Sequence, residues 1–263
     1  MISFTEGGDV YFLPLSNKHG LSTKLPAEIF KSESFSMAVR VKVDWDKMDQ
    51  EKPGGVIAIN GMHTGIKVKK SEVNRYIQCD TWIQNIADRG RSEVRRSAKE
   101  SKPICLSWWE NDPNNIEKQI GKSLGEDKDY YDVVFVVNRK EKKVKLKVND
   151  NYIEESFTGD LVNYEESMIW LGCCNGLSLC PKEFQWNFNG KIILFGIFLS
   201  DVILDNEVKN KKIMHNFFNG GKLDSTLVEK FVCFSNLKEF NKFKIFDESQ
   251  NGNHFVKYNE EWI

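Results

Sequence analysis

The chain has 263 residues, and its 37 lysines and arginines against 38 aspartates and glutamates leave a formal net charge of -1. That balance gives no overall field for nucleic acid or an anionic membrane, so any basic site must be local. No run approaches the roughly 20 apolar residues that span a bilayer as a helix, and Met1–Glu6 has neither the basic start nor the apolar core of a signal peptide. The expected setting is therefore the cytoplasm or a segment of a larger surface protein, with no membrane span. A hydrophobic content of 40% is enough for one large core, and no linker-like stretch interrupts it, so residues 1–263 read as a single domain.

In chain order, Met37, Val39, Val41 and Val43 alternate with Arg40 and Lys42, which predicts a strand buried on one side. Asn60–Gly65 is a glycine-bounded turn with His63 at its tip. Strict alternation follows from Tyr76 to Gln84, with Ile77, Cys79, Thr81 and Ile83 on one face and Gln78, Asp80, Trp82 and Gln84 on the other. Arg91–Arg96 read as a strand would project Arg91, Glu93 and Arg95 together. Between Ser97 and Asp129 only Ile104–Trp109 reads as a strand, and a long loop follows it.

Asp132–Asn138 and Ile192–Phe195 are continuous apolar runs, as expected of central strands covered on both sides. Val144, Leu146 and Val148 alternate with Lys143, Lys145 and Lys147, a lysine face left to solvent. Turns are predicted at Asn138–Lys142 and at Asn149–Asn151, the latter built from residues that tolerate positive φ. Only one helix is expected, over Asp205–Phe218, with Val208, Ile213, Phe217 and Phe218 as its stripe and Gly220-Gly221 as its stop. The six cysteines lack paired Cys-x-x-Cys or Cys–His spacing, so they read as reduced core residues and no metal site is expected.

Four segments in order resemble one family. Ser34–Val39 resembles an early Ser-Phe-Thr strand, and Tyr131–Val137 with Lys145–Asp150 resembles a central hairpin. Ile169–Gly172 resembles an aliphatic strand closed by glycine, and Phe188–Ile192 with Ile197–Asp201 and Leu204–Val208 resembles a closing strand and short helix. Together they are similar to laminin-G-like and pentraxin-like domains of the concanavalin A-like superfamily. The resemblance implies an all-β jelly roll of two antiparallel sheets with one short helix near residues 205–218. It implies no particular activity, because such folds host lectins, glycosidases, lyases and adhesion modules.

The polar face of Tyr76–Gln84 suits a sugar, whose hydroxyls bond to carboxylates and amides and whose C–H patch stacks on an indole. Gln78, Asp80 and Trp82 are the expected ligand-binding core, with Arg91, Glu93 and Arg95 beside them and Trp108, Trp109 and Asp112 as a flanking loop. Solvated charge and an indole beneath a loop are the plainer meanings of the same residues. Carboxylate and amide oxygens around Asp112 also fit calcium, though without a calcium-loop spacing, so no cofactor is expected.

Arg91–Arg96 resembles the Arg-Ser/Thr-Glu-Leu/Val-Arg motif of alginate-lyase-like jelly rolls, which implies a uronate grip by Arg91 and Arg95, with His63 or Tyr76 moving the proton. The later motifs of that family are missing; Gly121 stands where its histidine would be. The leading expectation is therefore a carbohydrate-binding module without catalysis. A polysaccharide lyase and a protein-interaction module, in a larger protein or a homo-oligomer, are the alternatives.

Overall fold

The computed structural model describes residues 2–4, 10–12, 21–25, 29, 32–50, 53–59, 64–70, 75–84, 102–110, 130–161, 167–172, 188–199, 208–219, 231–235, 240–241, 244–245 and 255–257. They form strands β1 (Ile2–Phe4), β2 (Val10–Phe12), β3 (Leu21–Leu25), β4 (Ser34–Val43), β5 (Gly54–Ile59), β6 (Thr64–Lys70), β7 (Arg75–Gln84), β8 (Lys102–Glu110) and β9 (Tyr131–Asn138). There follow β10 (Lys143–Val148), β11 (Asn151–Ser156), β12 (Asp160–Leu161), β13 (Ser167–Leu171), β14 (Gly190–Phe198), helix α1 (Val208–Asn219), β15 (Phe231–Ser235), β16 (Phe240–Asn241), β17 (Lys244–Ile245) and β18 (Phe255–Lys257).

Two antiparallel sheets result. The first runs β1-β2-β14-β4-β9-β10-β11, with β15 also on β14; the second runs β12-β7-β6-β5-β13-β3-β18-β17-β16, with β8 also on β7. Alternation decides what lies between them. Met37, Val39 and Val41 of β4, Val133, Phe135 and Val137 of β9, and Val144, Leu146 and Val148 of β10 share one buried cluster with Ile57, Ile59, Ile66, Val68, Ile77, Cys79, Ile169 and Leu171 of the second sheet. Trp45 closes one end of this core edge-on to Tyr131, with ring centroids 6.1 Å apart, and its Nε1–H donates to the Tyr131 hydroxyl at 3.3 Å.

The continuous apolar runs are explained by the far side of the first sheet. There Ala38, Val134, Val136, Leu194 and Phe198 meet Met214, Phe217 and Phe218 of α1. The observed helical stripe thus includes Met214, which the sequence reading omitted, while residues 205–207 and 220–221 lie outside the described residues. Arg40 ties helix to sheet: its Nη1 donates to the Phe218 carbonyl at 2.6 Å, while Nε and Nη2 hold the Asp132 carboxylate side-on at 2.6 and 2.7 Å.

Both predicted turns form. Residues 139–142 join β9 to β10, with the Glu141 amide donating to Asn138 Oδ1 at 2.8 Å. Asn149 adopts φ 53, and its Oδ1 accepts the Asp132 amide at 3.0 Å. Gly190 opens β14 at φ 150, and a Cβ there would collide with the Lys42 carbonyl oxygen, so only glycine lets β14 start this close to β4.

One feature of β14 departs from simple alternation. Ile192 pairs with Val41, but Leu194 pairs with Arg40, so Ile193 is a surplus residue in the ladder. The bulge swaps the faces: Ile192, Phe195 and Ile197 enter the central core, whereas Leu194 and Phe198 turn toward the helix.

Candidate functional site

The outward side of β6, β7 and β8 is set by register. Gln78 lies across from Lys67 on β6 and Ser107 on β8, Tyr76 from Lys69 and Trp109, and Asp80 from Gly65 and Cys105. Opposed residues of an antiparallel pair face the same way. Lys67, Lys69, Tyr76, Gln78 and Asp80 therefore share the side turned away from Ile77 and Cys79, which lie in the core. The sequence-based division of β7 into two faces holds at each of these positions.

Exposure changes along this side. Lys67, Lys69, Tyr76 and Gln78 are half-buried, and the Lys69 ammonium stands 5.8 Å from the Tyr76 ring centroid, within cation–π range. Asp80 is only 5% exposed. Its Oδ2 accepts from Lys67 Nζ at 2.9 Å, whereas Oδ1 is buried without a hydrogen-bond partner. Burial pushes the Asp80 carboxyl above the ordinary carboxylate range, with the charge and hydrogen bond of Lys67 pulling the other way.

Next to Asp80 the sheet has no side chain to offer at Gly65, where a Cβ would collide with the Ile57 carbonyl oxygen of β5. The row continues through Ala58 to Trp170; both are buried, yet neither belongs to the central cluster. The outward side is thus partly exposed at Tyr76 and Gln78 and buried from Asp80 to Trp170.

The structure therefore brings Gln78 and Asp80 together, but Asp80 is an ion-paired, buried carboxylate rather than a solvated one. Trp82 occupies the next alternate position on β7, across from Pro103. Trp109 shares the register of Tyr76, and Trp108 that of Ile77. The side chains of these three tryptophans lie outside the described residues, as do His63, Arg91, Glu93, Arg95 and Asp112 entirely. Of the proton-transfer pair in the lyase reading, only Tyr76 is described. Lys67 and Lys69 were missed by sequence reasoning. Their alternation with Ile66 and Val68 marks them as outward-facing, but nothing local reveals that Asp80 lies within reach of Lys67. Among the described residues, no helix is long and apolar enough to cross a membrane.

No family model and no curated protein matches the chain. Among solved structures, a candidate carbohydrate-binding protein from Bacteroides ovatus aligns with 94% of this chain and 61% of its own length, at 14% identity and a TM-score of 0.54. The likeness is one of fold, an all-β jelly roll of two antiparallel sheets. The chain spans less than two thirds of that protein. A heptameric SAP-like pentraxin from Limulus polyphemus aligns over 76% of this chain and 83% of its own, at 12% identity and a TM-score of 0.42. The CBM40 of a Ruminococcus gnavus IT-sialidase, bound to α2,3 sialyllactose, aligns over 79% and 96%, at 8% identity and a TM-score of 0.45.

Proposed function

We propose that this jelly roll is a carbohydrate-binding module whose ligand lies against the outward side of β6, β7 and β8. The observation that carries the reading is the cluster of partly exposed Lys67, Lys69, Tyr76 and Gln78 on one sheet side. An aromatic ring, an amide and two ammonium groups on neighbouring strands match the mixed demands of a sugar, which has a C–H patch to stack and hydroxyls to bond. The likeness in fold to the candidate carbohydrate-binding protein of Bacteroides ovatus supports it.

In this reading the Tyr76 ring, steadied by Lys69, is the stacking platform, and Gln78 and Lys67 bond to hydroxyls. Asp80 positions Lys67 by holding its ammonium at 2.9 Å. No catalysis is assigned.

The test is a glycan array followed by calorimetric titration of the best ligand into wild type, Y76A and Q78A. Wild type should bind, with Y76A losing about tenfold or more, as expected for loss of a stacking ring worth about 1–2 kcal/mol. No binding by wild type, or titrations unchanged by both substitutions, would remove the basis of the proposal. Ultraviolet-absorbing unsaturated products from a uronate polymer would replace it with the lyase.

A further inference from the structure

Arg139 opens the turn between β9 and β10, where its amide donates to the Glu33 carbonyl at 2.8 Å. Its guanidinium is unusual. Nε and Nη2 are both buried, and neither has a hydrogen-bond partner. These two nitrogens form the side-on edge of the guanidinium, and in Arg40 the same edge holds both oxygens of Asp132 at 2.6 and 2.7 Å. Arg139 presents that fork with nothing in it. No carboxylate among the described residues takes it: Glu33 instead lies 3.5 Å from Lys140 Nζ, and Glu154 pairs with Lys143 at 2.7 Å.

The surroundings keep a small positive excess, since residues 139–143 read Arg-Lys-Glu-Lys-Lys while Glu33 and Glu154 lie against Lys140 and Lys143. Lys142 Nζ is anchored on the Gly159 carbonyl at 2.6 Å, which leaves the local excess of positive charge in place. Loss of hydration lowers the Arg139 pKa to about 10, so the group remains a cation at neutral pH. A desolvated cation without a partner is costly unless something outside the chain pairs with it.

We propose that the Arg139 turn is an oxyanion-binding site, in which the Nε/Nη2 fork takes a carboxylate, sulfate or phosphate group side-on and Lys140 adds charge at its edge. Planar, bidentate capture of two oxygens is the chemistry this edge is shaped for. The side chain as a whole is half-buried, and the proposal requires its torsions to carry the fork outward to meet the anion. The site is separate from the proposed sugar face. Lys142 is bound to Phe157 and Gly159, which lead into β12, and β12 pairs with Gln84 at the far end of β7 from Tyr76.

The experiment uses the full chain as wild type, R139K, R139Q and Y76A. Glucuronate, glucose 6-sulfate and inorganic phosphate are each titrated at constant ionic strength. The readouts are the arginine Nε–Hε resonances and the melting midpoint. At least one probe should shift the Arg139 resonance to saturation in wild type and in Y76A, leave Arg40 unmoved, bind about tenfold more weakly to R139K, which lacks the fork, and not bind R139Q. The effective probe names the anion class. Without any anion, R139Q should melt at or above the wild-type midpoint, because a desolvated charge has been removed. Three silent probes, equal binding by R139Q, or an R139Q midpoint well below wild type would each overturn the proposal, the last by making Arg139 a structural residue.

Discussion

Asp80 shows how one position can be read correctly for its face and incorrectly for its environment. Its alternation with Ile77 and Cys79 is local and visible in the chain, whereas its burial and its bond to Lys67 depend on the β6–β7 register. Because burial raises its pKa above the ordinary value, the folded chain holds this proton to higher pH than the unfolded chain does. Between the two values the folded state binds more protons, so stability falls as pH rises and the penalty is fully present only above the folded value. Unfolding by urea between roughly pH 4 and pH 7 should show this slope in wild type and a flatter one in D80N. Equal slopes would mean that Asp80 is not a perturbed group. Arg40 makes a different residue-scale prediction. Removing Asp132 leaves a partly buried guanidinium without its bidentate partner, so D132A should lose about 2–3 kcal/mol in denaturant unfolding with an unchanged m-value.

At the scale of elements, helix α1 is held by an apolar stripe and by the Arg40 bond to its last turn. Phe217 is buried and meets Phe198 and Phe218 edge-on, with centroids 6.5 and 5.0 Å apart. F217A should therefore cost about 3–4 kcal/mol, and helical circular dichroism lost before the sheet signal would show the helix detaching first. Strands such as β4, β7 and β10 were legible because their side-chain period is two and one side is buried. The turn at Asn149 was legible because its residue type tolerates positive φ. β14 was only half legible, since the surplus Ile193 reverses the faces midway and no residue type announces a bulge. That reversal predicts an asymmetry: deleting Ile193 leaves every later side chain of β14 on its present face, whereas inserting a residue after Phe195 inverts those that follow. The deletion should fold and the insertion should not, judged by dispersion of amide resonances. At the candidate site, Gln78 was named from sequence, whereas Tyr76 entered only as a proton-transfer candidate of the lyase reading and Arg139 not at all. Nothing in a run of basic turn residues distinguishes a solvated arginine from one whose fork is buried and empty.

For the whole molecule, both sheets contribute to one cluster of buried residues. Neither sheet can open without exposing the apolar side of the other. The reading of residues 1–263 as one domain therefore predicts a single calorimetric transition whose van't Hoff and calorimetric enthalpies agree; two resolved transitions would divide the chain. A neutral sugar held at Tyr76 by stacking and hydrogen bonds would bind almost independently of salt, whereas an oxyanion held at Arg139 would bind more weakly as salt screens the guanidinium. The shared core also makes the body a ruler. From Tyr76 to Gln84 β7 covers roughly 26 Å at about 3.3 Å per residue, and the Arg139 turn connects to that end through Lys142, Gly159 and β12. If both proposed sites take parts of one anionic saccharide, a short one would occupy a single station, while a chain long enough to reach both would gain avidity from a gap that a shared core keeps fixed.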